Sequence, residues 1–180
     1  MITKKNYQKK IEIGLAFFKN TNYLQGLKVF KEVEKLENKD FLVYWYLGHT
    51  HFKLYNYNKA IECIKKSIEL KSEDTLNLNF LAKLYFSNNQ YEKAILILEK
   101  LLRLDNANKE ALISLAKINT DKGNFKEAIK NYFKILENDP NNFGIYYELI
   151  KLNKENLTKD LINKIKKELN IDKISNENKI

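Results

Sequence analysis

The stretch YWYLGHTHFKLYNYNKAIECIKKSIEL, residues 44–70, decides the fold, because its pattern recurs before and after it. One landmark is a small residue that follows an aliphatic residue. It recurs every 34 residues, as Ile13-Gly14, Leu47-Gly48, Leu81-Ala82 and Leu115-Ala116. A fixed period of this length is typical of helical repeat proteins, in which each unit buries its apolar face against its neighbours.

Two further landmarks keep the same register. An aromatic residue is followed three positions later by a small residue, and four positions after that by a large apolar or aromatic one. These sets are Tyr23, Gly26 and Phe30; Tyr57, Ala60 and Ile64; Tyr91, Ala94 and Leu98; Phe125, Ala128 and Tyr132. The sequence therefore predicts four abutting repeats, at 7–40, 41–74, 75–108 and 109–142.

Each repeat reads as two amphipathic helices, with apolar residues spaced i, i+3 and i+4. In the second repeat we expect helices at about 41–54 and 58–71, with Tyr55-Asn56 in the turn and Asn58 as N-cap. The chain has only 5 Gly and 1 Pro, too few turn-forming residues for a β-rich fold. These features predict an all-α protein.

The units YWYLGHTHFKLYNYNKAIECIKKSIEL, LNFLAKLYFSNNQYEKAILILEKLLRL and LISLAKINTDKGNFKEAIKNYFKILENDP resemble the tetratricopeptide repeat (TPR) family. The resemblance implies a right-handed α-solenoid of antiparallel helix pairs, forming a single array over residues 1–169. In this array 143–169 is a degenerate capping helix pair, and 170–180 is a polar C-terminal tail.

His49 and His51 are the only His residues and Cys63 is the only Cys. Residues two apart on a helix point about 200° apart, so the two imidazoles do not readily ligate one metal ion. A helical His pair for zinc needs i, i+4 spacing. We expect His51 to be buried with a hydrogen-bond partner, and we expect no catalytic site, cofactor or metal.

The TPR resemblance implies a concave groove lined by the first helix of each repeat. Trp45 stands one place after Tyr44, which fills the family's usual aromatic position. Trp45 either faces the groove or packs against a neighbouring first helix. The predicted groove is apolar in its N-terminal half and Lys-lined in its C-terminal half. Its residues are Ile11, Leu15, Phe18, Leu42, Trp45, His49, Phe52, Asn79, Lys83, Phe86, Lys117, Tyr147 and Lys151.

This groove predicts a non-enzymatic interaction module that binds a peptide or helix of an amphipathic or acidic protein partner. The Lys residues could equally be ordinary solvated side chains. Three alternatives remain open: an RNA-associated helical repeat protein, a secretion-chaperone-like protein and a self-assembling scaffold. Self-association would use the apolar outer face of the first helix.

Charge and hydropathy limit the partners and the cellular location that we expect. The net charge is +9, but the excess is spread along the chain and Arg103 is the only Arg. Nucleic-acid binders usually concentrate Lys and Arg in a patch, so we consider nucleic acid an unlikely partner. No apolar run reaches the length of a membrane span. We therefore expect a cytoplasmic protein with no membrane partner.

Overall fold

The computed structural model describes residues 4–36, 40–71, 74–152, 159 and 162–163. Within these residues all regular secondary structure is α-helical, which confirms the predicted all-α class. The helices are α1 Lys4–Lys19, α2 Tyr23–Leu36, α3 Phe41–Lys53, α4 Tyr57–Leu70, α5 Thr75–Ser87, α6 Tyr91–Leu104, α7 Lys109–Asp121, α8 Phe125–Asn138 and α9 Phe143–Lys151.

The first helix of each repeat from the second onward begins after an Asp or Asn cap. The side-chain oxygen of this residue accepts a hydrogen bond from a backbone N–H in the first turn, at 2.8–3.3 Å. The caps are Asp40, Asp74, Asn108 and Asn142. Such a cap satisfies a donor that the helix itself leaves unpaired. The 34-residue period therefore also fixes where these helices start.

The turn inside each repeat places one residue in the left-handed region. These residues are Thr21, Tyr55, Asn89 and Gly123, with φ between 56° and 76°. The following N–H then donates back into the first helix, as Asn56 N–H does to the His51 carbonyl at 2.9 Å. This is the Schellman pattern of helix termination. The predicted Asn58 N-cap is wrong, because Asn56 holds that position and makes no side-chain cap bond.

The small residues of the repeat lie where paired helices approach closely. A Cβ added to Gly48 would stand 2.6 Å from Ile64 Cδ1, and one added to Gly14 would stand 2.6 Å from the Phe30 ring. The equivalent Ala82 is fully buried. The predicted need for small side chains at these crossings is confirmed.

The chain divides into two compact units, Met1–Leu101 (unit 1) and Leu102–Ile180 (unit 2). Two apolar clusters can be described among the residues of unit 1 that the structure covers. One contains Ile11, Phe30, Val33, Val43, Tyr44 and Leu47, and the other contains Ala60, Ile61, Ile64, Phe80, Leu81 and Leu84. In unit 2 the core contains Leu112, Ala116, Ala128, Tyr132, Ile135, Leu136, Ile145, Tyr146, Leu149 and Leu152.

The C-terminal part of the chain is described only in part. The first half of the predicted capping pair is present as α9, which ends at Lys151. Most of its second half, and the whole predicted tail 170–180, lie outside the described residues. None of the helices that the structure describes is long and apolar enough to span a membrane.

Candidate functional site

Two stripes of residues lie on neighbouring first helices of unit 1, and all of them except Leu76 are among the predicted groove residues. Both use the spacing i, i+3, i+7 and i+10, which keeps four side chains on one side of a helix. Together they form the surface that we call the α3/α5 face. Its residues are Leu42, Trp45, His49 and Phe52 on α3 and Leu76, Asn79, Lys83 and Phe86 on α5.

An aromatic stack joins the two helices beneath this face. The His49 imidazole lies between the indole of Trp45, with ring centroids 3.9 Å apart, and the phenyl ring of Phe80, at 3.7 Å. The Phe80 ring also receives the edge of Phe52 at 5.5 Å. Phe80 was not among the predicted groove residues. Its role depends on contacts with another helix, for which the local sequence carries no signal.

Burial within this stack keeps His49 neutral. It lowers the pKa of the imidazole from 6.5 to about 4, and the positive charges of Lys83 and Lys53 lower it further in the same direction. The Nε2 atom is buried and has no hydrogen-bond partner among the described residues. A buried polar atom without a partner is rare in folded proteins and is destabilising.

Trp45 is half-buried. Besides His49, its indole contacts the ring of Tyr46 at 5.0 Å in an edge-on arrangement, and it packs against the cluster that contains Phe80 and Leu81. The sequence left open whether Trp45 faces the groove or packs between helices. In the structure one portion of the indole is covered by the stack while another portion reaches solvent.

Exposed apolar residues border the stack. Leu42 is 41% exposed and Leu76, one repeat later, is 69% exposed. The exposed ammonium of Lys83 lies over the Phe52 ring, 5.1 Å from its centroid. A cation held over an aromatic ring stays available to an anion on its other side. The α3/α5 face thus offers aliphatic surface, one aromatic edge and one positive charge.

The predicted groove residues of α1 lie deeper in the fold. Ile11 is buried in the cluster that contains Phe30 and Val43, because α2 packs on α1 and α3 packs on α2. Leu15 and Phe18 are half-buried and pack against the same cluster. Ile11 therefore offers a partner almost no surface.

Three predicted site residues lie in unit 2. Lys117 is exposed on α7 and forms no ion pair with the described part of the chain. Tyr147 is exposed on α9. Lys151 lies 3.8 Å from the Glu148 carboxylate and 5.2 Å from the centroid of the Tyr147 ring. The Lys151 charge is partly neutralised by its own helix.

The remaining candidate side chains are embedded in the fold. His51 is buried as predicted, and its Nδ1 atom has no hydrogen-bond partner among the described residues. Burial also lowers the pKa of His51. Burial raises the pKa of the Cys63 thiol to about 11, which makes it a poor nucleophile. No cluster of His, Cys, Asp or Glu suited to a metal ion occurs in the described ranges.

Comparison with known proteins identifies a helical-repeat class. A family model described as "Anaphase-promoting complex, cyclosome, subunit 3" matches residues 55–135. No curated protein matches the chain significantly. The solved structure "MamA 41-end from Desulfovibrio magneticus RS-1" superposes with a TM-score of 0.77 at 16% identity, covering 99% of each chain.

Two further solved structures carry the repeat in their names. A tetratricopeptide repeat protein from Parabacteroides merdae ATCC 43184 has a TM-score of 0.76 at 16% identity, covering 83% of this chain and 59% of its own. YrrB, described as "a TPR protein with an unusual peptide-binding site", has a TM-score of 0.68 at 16% identity, covering 88% and 84%. At these identities the likeness concerns the fold. With its four 34-residue helix pairs, the chain has the helical-repeat fold that these tetratricopeptide-repeat structures share.

Proposed function

We propose that this protein is a non-enzymatic interaction module that binds a peptide or helix of a partner protein on its α3/α5 face. The observation that carries the proposal is the pair of exposed residues Leu42 and Leu76, one repeat apart and next to half-buried Trp45. Exposed apolar residues grouped around an aromatic one are typical of interaction sites.

The chemistry of the face indicates the partner. Apolar side chains of the partner would cover Leu42, Leu76 and the free edge of Trp45, while a carboxylate would approach Lys83 beside the Phe52 ring. An amphipathic segment with an acidic residue beside its apolar anchors has these properties. The TPR fold supports this kind of use, and the name printed for YrrB records a peptide-binding site in a protein of similar fold.

In unit 2, taken by itself, the predicted site residues Lys117 and Lys151 offer positive charge to acidic residues of a partner. Of these two residues, Lys117 is the more available, since Lys151 lies near Glu148. The proposal includes contact of the partner with these Lys residues and a cytoplasmic location for the complex.

The proposal is tested with a random library of 12-residue peptides displayed on phage. We expect the wild-type chain to enrich peptides with large apolar residues next to acidic ones. Binding of a synthetic selected peptide should change the emission of Trp45, the only Trp in the chain. If no peptide is enriched, or if selected peptides bind without affecting Trp45, the proposed face is wrong.

A matched pair of variants locates the binding site. Leu76→Lys replaces a 69% exposed residue on the α3/α5 face, and Leu96→Lys replaces a 64% exposed residue on α6. We expect Leu76→Lys to weaken peptide binding at least about tenfold, the effect of losing an interface anchor. Leu96→Lys should leave it unchanged. Equal effects of the two substitutions would contradict the proposed location.

Two further variants test Trp45 as an apolar anchor and Lys117 as a charge contact. Trp45→Ala should weaken binding at every salt concentration, because it removes apolar contact area. Lys117→Glu should weaken binding mainly at low salt, because a charge contact at the surface is screened by added ions. If neither substitution changes the affinity for the partner, the partner does not bind at Trp45 or at Lys117.

A further inference from the structure

His49 differs from its counterparts in the other repeats. The equivalent positions hold Leu15, Lys83, Lys117 and Lys151, each of which is either apolar or exposed to water at its charged end. His49 instead has both ring faces covered, by Trp45 on one side and Phe80 on the other. Only the edge of the imidazole, with its nitrogen atoms, is left for another contact.

One nitrogen of that edge makes no hydrogen bond with the described residues. Nε2 of His49 is buried and finds no hydrogen-bond partner in the part of the chain that the structure describes. The nearest charged groups around the ring are Lys53 on its own helix and Lys83 on α5. Neither accepts a hydrogen bond, because an ammonium group only donates. Buried polar atoms without partners often mark places where a ligand completes the bonding.

Trp45 is the part of this arrangement best able to move. Its indole covers one face of His49 and is itself half-exposed, whereas Phe80, on the other face, is buried. A partner that displaces the indole, or slides along it, reaches the edge of the imidazole. Ordered side chains at an interface commonly change rotamer on binding even where the backbone does not move.

We propose that His49 is the specificity-determining residue of the α3/α5 face and that it selects partners with a neutral hydrogen-bonding side chain beside their apolar anchor. Ser, Thr, Asn and Gln are such side chains. This inference rests on the proposed function. A site built to form a hydrogen bond strongly disfavours ligands that lack the matching group, because its own polar atom is then left unpaired. An entirely apolar anchor would therefore bind less well than one with a hydroxyl or amide nearby.

The test compares peptide selections with wild-type protein and with His49→Phe. Phenylalanine keeps a flat ring between Trp45 and Phe80 but has no nitrogen. We expect Ser, Thr, Asn or Gln to be enriched next to the apolar anchor only with the wild type. Replacing that residue by Ala in a selected peptide should weaken binding to wild type about five- to tenfold, the usual effect of one hydrogen bond. The same replacement should leave binding to His49→Phe unchanged.

His51→Phe is the matched control. It also replaces a buried His on α3 whose ring nitrogen lacks a described partner, but it lies two residues away and outside the face. Its selected peptides should match those of the wild type, and thermal denaturation of all three proteins verifies that they are folded. The same polar preference with His49→Phe would overturn the inference and leave the proposed function intact. Failure of the wild type to enrich any peptide would overturn both.

Discussion

The imidazole of His49 lies flat on the phenyl ring of Phe80, with the ring centroids 3.7 Å apart and the planes 7° apart. This contact joins two first helices that are 34 residues apart in sequence. It places a titratable group inside an apolar stack, and burial there lowers the pKa of the imidazole to about 4.

The first prediction concerns pH. The pKa of His49 is about 4 in the folded chain and 6.5 ordinarily, so the unfolded chain binds the proton more readily. The stability due to neutral His49 is fully present above about pH 6.5 and is lost as the pH falls towards 4. Over this range the free energy of unfolding of the wild type should fall by roughly 2–3 kcal/mol more than that of His49→Phe. Urea denaturation of both proteins at several pH values measures the difference, and parallel pH profiles would contradict it.

The second prediction concerns Asn77, which is buried at 1% exposure with both side-chain polar atoms unpartnered among the described residues. The equivalent positions hold the buried apolar residues Val43, Ala111 and Ile145. Asn77→Val should therefore raise the free energy of unfolding by about 1–2 kcal/mol, because it removes two unsatisfied groups. Chemical denaturation measures the change. A loss of stability would show that the amide is needed where it stands.

The third prediction concerns the crossing of α3 and α4 at Gly48. A Cβ at Gly48 meets Cδ1 and Cγ1 of Ile64 at 2.6 and 2.7 Å, and Ile64 is fully buried, so any shift of its side chain has to displace other packed atoms. Gly48→Ala should destabilise the protein by about 1–2 kcal/mol despite the better helix propensity of Ala. In the double variant with Ile64→Val, the combined loss of stability should be smaller than the sum of the two single losses, since Val lacks the clashing Cδ1.

Gly144→Ala serves as the control for that crossing. Its added Cβ would meet only Asn142 Oδ1, at 3.4 Å, so its effect on the denaturation midpoint should be small. Equal destabilisation by Gly48→Ala and Gly144→Ala would mean that the crossing is not the cause.

The fourth prediction concerns the turns. Gly123 has φ of +76°, and an added Cβ would meet no atom within 4 Å. Any destabilisation by Gly123→Ala therefore comes from placing Ala in the left-handed backbone conformation. We expect a loss of about 1 kcal/mol. Asn89 occupies the equivalent position with φ of 56°, and Asn89→Gly should be neutral or slightly stabilising. Thermal denaturation should show a lower midpoint for Gly123→Ala and an unchanged or slightly higher midpoint for Asn89→Gly.

The sequence by itself determined the repeats, the all-α class and the places where helices must approach closely. It could do so because period, small residues and apolar spacing are local properties, repeated four times. The Asp and Asn caps at positions 40, 74, 108 and 142 carry the same period and were available to the same reasoning. The resemblance also selected the α3 and α5 stripes apart from Leu76, although it did not establish which of their residues are accessible.

Only the tertiary structure decided how the predicted groove residues differ from one another. It buried Ile11 and exposed Leu76, and it brought Phe80 against His49, which changed the character of His49 from a surface group to a neutral, enclosed one. Exposure and pKa depend on atoms contributed by other helices, many residues away. A repeat pattern specifies which side of a helix a residue occupies, whereas the neighbouring helix decides what that side contacts.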